Sequence, residues 1–129
     1  QNITISFSPD PLPEANIMGD ERLLEQLFGN LINNALRYAS ATQLTFTLTE
    51  TERHYTIHVA DNGVGIASEH LSRLFERFYR VQKERSRATG GTGLGLAIVK
   101  HIAILHHGKV SVYSELNTGT TFSIRFRKS

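Results

Sequence analysis

The first third of the chain changes from a strand-like to a helical spacing of apolar residues. Residues 3–8 alternate between apolar and polar, and prolines at 9, 11 and 13 then break the chain before a short apolar stretch at 15–18. From Asp20, a favourable N-cap residue, apolar side chains recur at helical spacing to about Tyr38: Leu23, Leu24, Leu27, Phe28, Leu31, Ile32, Ala35 and Leu36. This pattern predicts two strand-like pieces followed by a long amphipathic helix.

The rest of the chain contains two predicted hairpins and a second helix. Apolar and polar residues alternate over 44–48 and again over 55–59, with a polar connection between them. Residues 94–105 carry helical spacing, and strands at 109–114 and 121–126 follow, joined by an Asn-Thr-Gly turn. The order of strands, helix, hairpin, loop, helix and hairpin predicts an α+β sandwich with helices on one face of a mixed sheet.

Composition narrows the class of protein. With 129 residues, 40% of them hydrophobic, the chain is long enough to form one domain with its own core, over 1–129. The absence of cysteine excludes a disulfide scaffold and cysteine-based metal sites. No apolar run approaches the roughly 20 residues that span a bilayer. Because the chain begins without Met and already in strand-like alternation, we expect it to be part of a longer protein.

The segment Gly90-Gly91-Thr92-Gly93-Leu94-Gly95-Leu96 places glycines at the start of the second predicted helix. Each glycine there costs about 0.5 to 1 kcal/mol relative to alanine, and a helix start with exposed N–H groups suits a phosphate. The spacing fits neither the dinucleotide fingerprint G-x-G-x-x-G nor the P-loop, since no Gly-Lys-Ser or Gly-Lys-Thr occurs. A phosphate loop of another kind and a flexible turn before a core helix both remain open.

Two asparagines of the first helix are a second candidate for ligand chemistry. Asn30 and Asn34 are four residues apart, so they project about 40° from one another beside the apolar face, whereas Asn33 points away. Amide oxygens suit a hard cation such as Mg²⁺, which takes further ligands from substrate phosphate and water. An amide pair that caps a neighbouring loop is the structural alternative.

The loop after the third predicted strand is Asp61-Asn62-Gly63-Val64-Gly65-Ile66. Its residue types also suit an ordinary turn. Because Val64 and Ile66 are apolar, we expect the loop to fold inward and to place Asp61 at the edge of a pocket.

Basic residues crowd the stretch from Arg73 to Arg87, although the net charge of the chain is only +2. They are interleaved with apolar side chains such as Leu74, Phe75 and Phe78, which makes a purely solvated run a poor explanation. A nucleic-acid surface and a lid over a phosphate-bearing ligand both fit the charge pattern.

Four of these segments, in their order along the chain, resemble the motifs of one family. Residues 30–38 (NLINNALRY) resemble the N box, 61–66 (DNGVGI) the G1 box, 75–80 (FERFYR) the F box and 91–96 (GTGLGL) the G2 box of sensor histidine kinases. The resemblance covers nearly the whole chain. It implies the catalytic ATP-binding domain with the Bergerat fold, in which a mixed, mostly antiparallel sheet of about five strands packs on three helices and carries an ATP lid.

The resemblance also implies roles for individual residues. Asp61 would accept a hydrogen bond from the adenine amino group, and Asn30 and Asn34 would hold Mg²⁺ and, through it, the phosphates. The lid would cover about 73–92, with Phe75 and Phe78 as its anchors. The other implied ATP-binding residues are Arg37 and Arg80 at the phosphates, Tyr38 on the adenine, Gly63, Gly65 and Ile66 around the base, and Gly91, Thr92, Gly93, Leu94, Gly95 and Leu96 in the hinge and phosphate loop.

The implied function is to bind Mg·ATP and to donate its γ-phosphoryl group to a histidine on a separate dimerisation domain, in two-component signalling with a response regulator downstream. The implied location is the cytoplasmic side of a bacterial inner-membrane protein, with no nucleic-acid partner. None of the six histidines stands in the family's phosphoacceptor context, a His followed by an acidic residue and then Thr-Pro-Leu. The acceptor is therefore expected outside this chain.

Two other functional classes stay open. A hydrolytic or clamp-type ATPase of the same fold would need an acidic base on the first helix, and Glu25 is the nearest candidate, on a different side from Asn34. A binding module without catalysis would use the basic stretch instead. Two departures from the family pattern, His107 and Asn117, stand where glycines are frequent and lie away from the implied nucleotide residues.

Overall fold

The computed structural model describes residues 4–8, 19–37, 41–79 and 95–128. These ranges contain five strands and three helices in the order β1 (Thr4–Ser8), α1 (Glu21–Arg37), β2 (Gln43–Glu50), β3 (His54–Asp61), α2 (Ser68–Leu71), α3 (Gly95–Leu105), β4 (Lys109–Glu115) and β5 (Gly119–Arg127). The predicted α+β class, both hairpins and both long helices are confirmed. The short helix α2 was not apparent from hydrophobic spacing, and the strand-like piece predicted at 15–18 lies outside the described residues.

The five strands form one mixed sheet in the order β1-β2-β3-β5-β4. β1 runs parallel to β2, and every other neighbouring pair is antiparallel. Strand alternation sends Val59, Phe122 and Ile124 to the helical side, where they join the core. The other face carries polar residues such as His58 and Ser123, whose side chains hydrogen bond to each other across strands at 2.7 Å.

The helices α1 and α3 cover the apolar face of the sheet. Leu27 and Leu31 of α1 and Val99 and Ile102 of α3 are almost completely removed from solvent. Burial of a side chain of this size contributes about 1.5 to 3 kcal/mol. The amphipathic spacing that predicted these helices therefore coincides with the packing that holds them on the sheet. Within the described residues, no helix combines the length and the hydropathy that crossing a bilayer requires.

A buried histidine joins the start of α1 to the end of α3. The carboxylate of Asp20 accepts hydrogen bonds from the backbone N–H groups of Arg22 and Leu23, at 2.9 and 3.2 Å, so the predicted N-cap is confirmed. The backbone N–H of Asp20 itself donates to His106 Nε2 at 2.9 Å, and His106 Nδ1 lies 2.8 Å from the carbonyl oxygen of Ile102. Since an N–H only donates and a carbonyl only accepts, His106 is held as the neutral tautomer protonated on Nδ1.

The C-terminus of α3 ends in a Schellman motif. The N–H of Gly108 donates to the carbonyl of Ala103 at 2.7 Å, and the N–H of His107 donates to the carbonyl of Ile104 at 3.0 Å. His107 has a φ of +56°, in the left-handed region that the motif requires at this position. A residue with a Cβ is strained there, and glycine is the usual occupant.

We therefore expect His107→Gly to stabilise the fold by about 0.5 to 1 kcal/mol, because relief of the left-handed strain exceeds the extra chain entropy of glycine in the unfolded state. The melting temperature should rise by roughly 2 to 4 °C. His101→Gly, at an exposed position inside α3, is the matched control and should destabilise by about 0.3 to 0.5 kcal/mol, the difference in helix propensity between Gly and His. Equal destabilisation by both changes in thermal melts would contradict the proposed strain at His107.

Candidate functional site

Three of the residues singled out in the sequence, Asp61, Asn30 and Asn34, lie toward one end of the sheet. Asp61 is the last residue of β3, and Leu44 and Thr120 are its neighbours on β2 and β5. Leu44 packs in a small buried cluster with Ala35 of α1 and with Ala41. The second half of α1, which carries Asn30 and Asn34, therefore lies on the end of the sheet where Asp61 is found.

The carboxylate of Asp61 is held by two backbone donors. Both of the hydrogen bonds that it accepts within the described residues go to Oδ1, from the N–H of Gly63 at 2.8 Å and from the N–H of Thr120 at 3.3 Å. Burial raises the pKa of Asp61 above its usual range, and these two hydrogen bonds oppose part of that increase. The half-buried carboxylate of Asp61 is therefore a hydrogen-bond acceptor held in place at the end of β3.

Two glycines allow the loop after β3 to approach the β4–β5 turn. Gly65 has a φ of +77°, and a Cβ there would lie 2.2 Å from the carbonyl oxygen of Glu115. Gly119 has a φ of +143°, and a Cβ there would lie 2.0 Å from the carbonyl oxygen of Asp61. Each position therefore requires glycine for both its conformation and its close backbone contact.

Further hydrogen bonds fix the same loop against β4 and its turn. The N–H of Ile66 donates to Ser114 Oγ at 2.7 Å, and the carbonyl of Val64 accepts from the N–H of Asn117 at 2.7 Å. The loop folds inward as expected through Ile66, which is half-buried. The side chain of Val64 is 38% exposed, and the backbone of Val64 anchors the loop instead.

Asn62 has a structural role that sequence patterns did not single out. Its Oδ1 accepts from the backbone N–H groups of Thr42 and Gln43, each at 2.9 Å, and its Nδ2 donates to Thr42 Oγ1 at 3.0 Å. The side chain thus replaces backbone pairing at the start of β2 and orients the chain that follows Asp61. An Asn directly after a strand is also an ordinary turn residue, so its spacing gave no separate signal.

Asn30 connects α1 to the start of α3. Its Nδ2 donates to the carbonyl oxygen of Gly95 at 3.2 Å, and both Asn30 and Asn34 are half-buried, whereas Asn33 is exposed as predicted. With the amide nitrogen of Asn30 committed to Gly95, its oxygen is the end that can meet a ligand. A Cβ built at Gly95 meets no atom of the described residues within 4 Å.

The donor set is suited to a shared metal ion and not to a closed protein site. Among the described residues, no group of three or more His, Asp or Glu side chains is placed to hold a metal. Two neutral amide oxygens fit Mg²⁺ only where phosphate and water complete the shell. The residues present therefore fit a Mg²⁺ that arrives together with a phosphate-bearing ligand.

The first part of the predicted lid, up to Tyr79, is anchored by a set of side-chain contacts. Phe75 meets the core residue Phe122 edge-on, with ring centroids 6.1 Å apart. Tyr79 hydrogen bonds to His70, and the guanidinium of Arg73 lies 4.6 Å from the Tyr79 ring centroid. Through Phe75, the first part of the basic stretch is held against the sheet.

The two predicted lid anchors differ in their surroundings. Phe75 packs against the core, whereas Phe78 is 64% exposed and has a φ of +66°. A positive φ is unusual for a bulky side chain and marks a local backbone strain. The anchoring role of Phe78 stays a prediction.

Two of the residues predicted for the hinge and phosphate loop lie within the described part of the chain. Leu96 packs against the core, and Gly95 is the first residue of α3. The side chain of Arg37 and the residues Tyr38, Arg80, Gly91, Thr92, Gly93 and Leu94 lie outside the described part of the chain. Their roles at the base and the phosphates remain predictions.

Comparison of the sequence with protein families and with curated proteins finds histidine kinases and ATPases related to them. The family model described as "Histidine kinase-, DNA gyrase B-, and HSP90-like ATPase" matches residues 19–129. The chain is 44% identical over 124 residues to the sensor-like histidine kinase SenX3 of Mycolicibacterium smegmatis, a match that covers 95% of this chain and 32% of SenX3. The chain therefore spans about a third of the length of that relative.

Solved structures give the same result. The ATP binding domain of PrrB from Mycobacterium tuberculosis superposes with a TM-score of 0.78 at 26% identity, covering 98% of this chain and 81% of that one. Full-length ShkA, solved in complex with AMPPNP, gives a TM-score of 0.77 at 31% identity and covers 99% of this chain and 26% of that one.

The raised pKa of Asp61 predicts a pH-dependent cost in stability. A folded-state pKa above the unfolded value means that stability is lost as the pH rises through the interval between the two. Asp61→Asn keeps an acceptor oxygen for Gly63 and Thr120 but has no charge to desolvate. In ligand-free melts, we expect the free energy of unfolding of the variant, relative to that of the unchanged protein, to increase as the pH rises through that interval. Above the interval, this difference should stay constant.

The control is Glu52→Gln, which removes an exposed carboxylate from the β2–β3 turn. The predicted sign would be contradicted if the advantage of Asp61→Asn were greatest at the lowest pH.

Proposed function

Because this chain belongs to the family of histidine kinase-, DNA gyrase B- and HSP90-like ATPases, we propose that it binds Mg·ATP and donates the γ-phosphoryl group to a histidine on a separate domain. That acceptor would lie on a dimerisation domain of the same protein, and a response regulator would receive the phosphoryl group in turn. The observation that carries the proposal is the half-buried Asp61 carboxylate, held by Gly63 and Thr120 at the end of β3.

The base end of the site favours adenine. A carboxylate only accepts hydrogen bonds when it is ionised, and the exocyclic amino group of adenine is a donor. Guanine places a carbonyl oxygen at the same position, which a carboxylate repels. Gly63 and Gly65 bring the backbone of the loop close to this position, and Ile66 adds an apolar side to it.

The phosphate end is built from α1 and from the start of α3. Asn30 holds the carbonyl of Gly95, which brings the amide side chains of α1 close to the first turn of α3. The first turn of a helix such as α3 has N–H groups without partners inside the helix and a positive dipole end, and both favour phosphate. A bound Mg²⁺ would neutralise phosphate charge between the ligand and the oxygens of Asn30 and Asn34.

Positioning is the main contribution of such a site to phosphoryl transfer. A donor held in line with its acceptor can lower the barrier by roughly 7 to 11 kcal/mol. Three histidines have structural partners among the described side chains and backbone: His106 is held by Asp20 and Ile102, His58 lies between Ser123 and Thr49, and His70 hydrogen bonds to Tyr79. These contacts support an acceptor histidine outside the chain.

The two alternative functions gain no support from the described residues. Glu25, the nearest candidate base for a hydrolytic ATPase, is exposed on α1, whereas Asn34 is half-buried. Arg73, at the start of the basic stretch, forms an ion pair with Glu76 at 3.1 Å and stacks on Tyr79.

As part of a longer sensor kinase, the chain would face the cytoplasm beside a bacterial inner membrane.

Transfer should require a partner domain. We expect the chain alone to take up essentially no label from γ-labelled ATP, because no acceptor is held in line with the phosphate. Adding the phosphoacceptor domain of the parent protein should produce acid-labile labelling of that domain, weakly because the reaction is no longer intramolecular.

Joint replacement of Asn30 and Asn34 by Ala should abolish the labelling, whereas Asn33→Ala, an exposed change on the same helix, should leave it near the unchanged level. Thermal melts with ADP would verify that each variant is folded. Rapid ATP turnover by the chain alone, or label on one of its own histidines, would refute the kinase assignment.

A further inference from the structure

The strand β4 forms one outer edge of the sheet that the described residues build. It pairs with β5 along its whole length, and no described strand lies on its other side. Edge strands carry backbone N–H and C=O groups without a strand partner, and proteins commonly protect them with proline, a bulge or a charge within the strand. The seven residues of β4 (KVSVYSE) contain no proline and carry charges only at the two ends. The middle of β4 therefore lacks these protections.

The apolar cover of the sheet also becomes thinner at this edge. On β5, Phe122 and Ile124 face the helices and are at most 2% exposed. Their register partners on β4, Val112 and Val110, pack on the same core but are only half-buried. On the opposite face of β4, Tyr113 is 68% exposed. Apolar surface is thus left uncovered on both faces of this edge.

The charged ends of β4 have no complementary neighbour on β5. Lys109 stands directly opposite Arg125, and both side chains are exposed. Like charges in directly opposite positions of an antiparallel pair are destabilising. Glu115 stands opposite Gly119, which has no side chain to meet it. Among the described residues, neither Lys109 nor Glu115 forms an ion pair, so both charges are available to a partner.

We propose that β4 pairs in antiparallel orientation with β4 of a second copy of this chain, about a two-fold axis at Val112. This is the register in which all seven residues overlap, and it places Lys109 opposite Glu115 of the second copy, twice. Residues that are directly opposite point to the same face of the sheet, so each Lys109 gains the opposite charge that Arg125 does not provide. A parallel pair in full overlap would instead place like charges together at both ends.

The same register covers the apolar surface of the edge. Tyr113 stands opposite Ser111 of the second copy, and the two Tyr113 side chains become diagonal neighbours, a separation that aromatic side chains can span. On the helical face, Val112 stands opposite Val112 of the second copy. A second copy therefore supplies the complementary charges and the apolar contacts in one arrangement.

The expected association is weak and depends on salt. A pair of seven-residue strands is smaller than a standard protein interface, and exposed ion pairs contribute little individually. We expect a dissociation constant on the order of 0.1 mM at low ionic strength, which should increase as salt screens the exposed charges. Sedimentation equilibrium of the chain at concentrations from about 10 μM to 1 mM measures this constant.

Charge reversal tests the register. Lys109→Glu places Glu opposite Glu115 of the second copy, and Glu115→Lys places Lys opposite Lys109. Because two pairs change from attraction to repulsion, each variant alone should dimerise roughly 10-fold more weakly than the unchanged protein. In an equimolar mixture of the two variants, the mixed dimer again contains two Lys–Glu pairs. The mixture should therefore associate about as strongly as the unchanged protein.

The matched controls carry the same changes of charge away from the edge. Arg127→Glu changes an exposed residue of β5 on the same face as Lys109, and Glu52→Lys changes an exposed residue of the β2–β3 turn. Both should keep the dissociation constant of the unchanged protein. Thermal melts at low concentration verify that each variant is folded. Lys109→Glu should melt no lower than the unchanged protein, because it replaces the like-charge pair with Arg125 by an opposite-charge pair.

The proposal is overturned if the unchanged protein stays monomeric up to about 1 mM. It is also overturned if the two charge reversals weaken dimerisation no more than their controls do, because the contact would then lie elsewhere on the chain. Failure of the mixture to regain association would overturn the antiparallel register. None of these measurements requires a nucleotide, so their results are independent of the proposed function.

Discussion

The half-buried carboxylate of Asp61 is the constraint on which the organisation of the site depends. Partial removal from water raises its pKa, and two backbone N–H groups from different segments stabilise the charge. To supply those donors, the loop after β3 must turn back within two residues and β5 must begin beside it. The glycines at 65 and 119 satisfy this requirement by permitting backbone contacts that any Cβ would block.

Two polar contacts set the arrangement of the long helices around this site. His106 connects the start of α1 to the end of α3, and Asn30 connects the middle of α1 to the start of α3. The helices are therefore antiparallel and are joined near both ends of α3. The first contact is buried structural support. The second brings the amide side chains of α1 to the helix N-terminus, where a phosphate is favoured.

Sequence periodicity was sufficient for most of the fold. The apolar spacing of α1 and α3 and the alternation of β2 to β5 report burial on one side, which is the same property that packs them. The ordered motifs indicated Asp61, Asn30 and Asn34 as site residues, and the structure brings them to one end of the sheet. The exposure of Val64 could not be predicted, because an apolar residue in a loop is anchored here through its backbone.

The roles of Asn62, Ser114 and His106 were equally inaccessible from sequence. Each depends on a partner distant along the chain, such as Ile66 for Ser114 or Asp20 for His106. Local patterns describe which face of an element is buried, and they do not describe hydrogen bonds between elements. The side chains that orient the site are therefore found only once the strand register is known.

The central claim is that Asp61 and the donors that hold it form the base-recognition end of an adenine nucleotide site. Backbone amide chemical shifts during an ADP titration measure this most directly, because the N–H groups of Gly63 and Thr120 both donate to the Asp61 carboxylate. We predict that these two resonances shift together, and saturably, as ADP is added. Saturable shifts confined to other parts of the chain, with Gly63 and Thr120 unchanged, would contradict the claim.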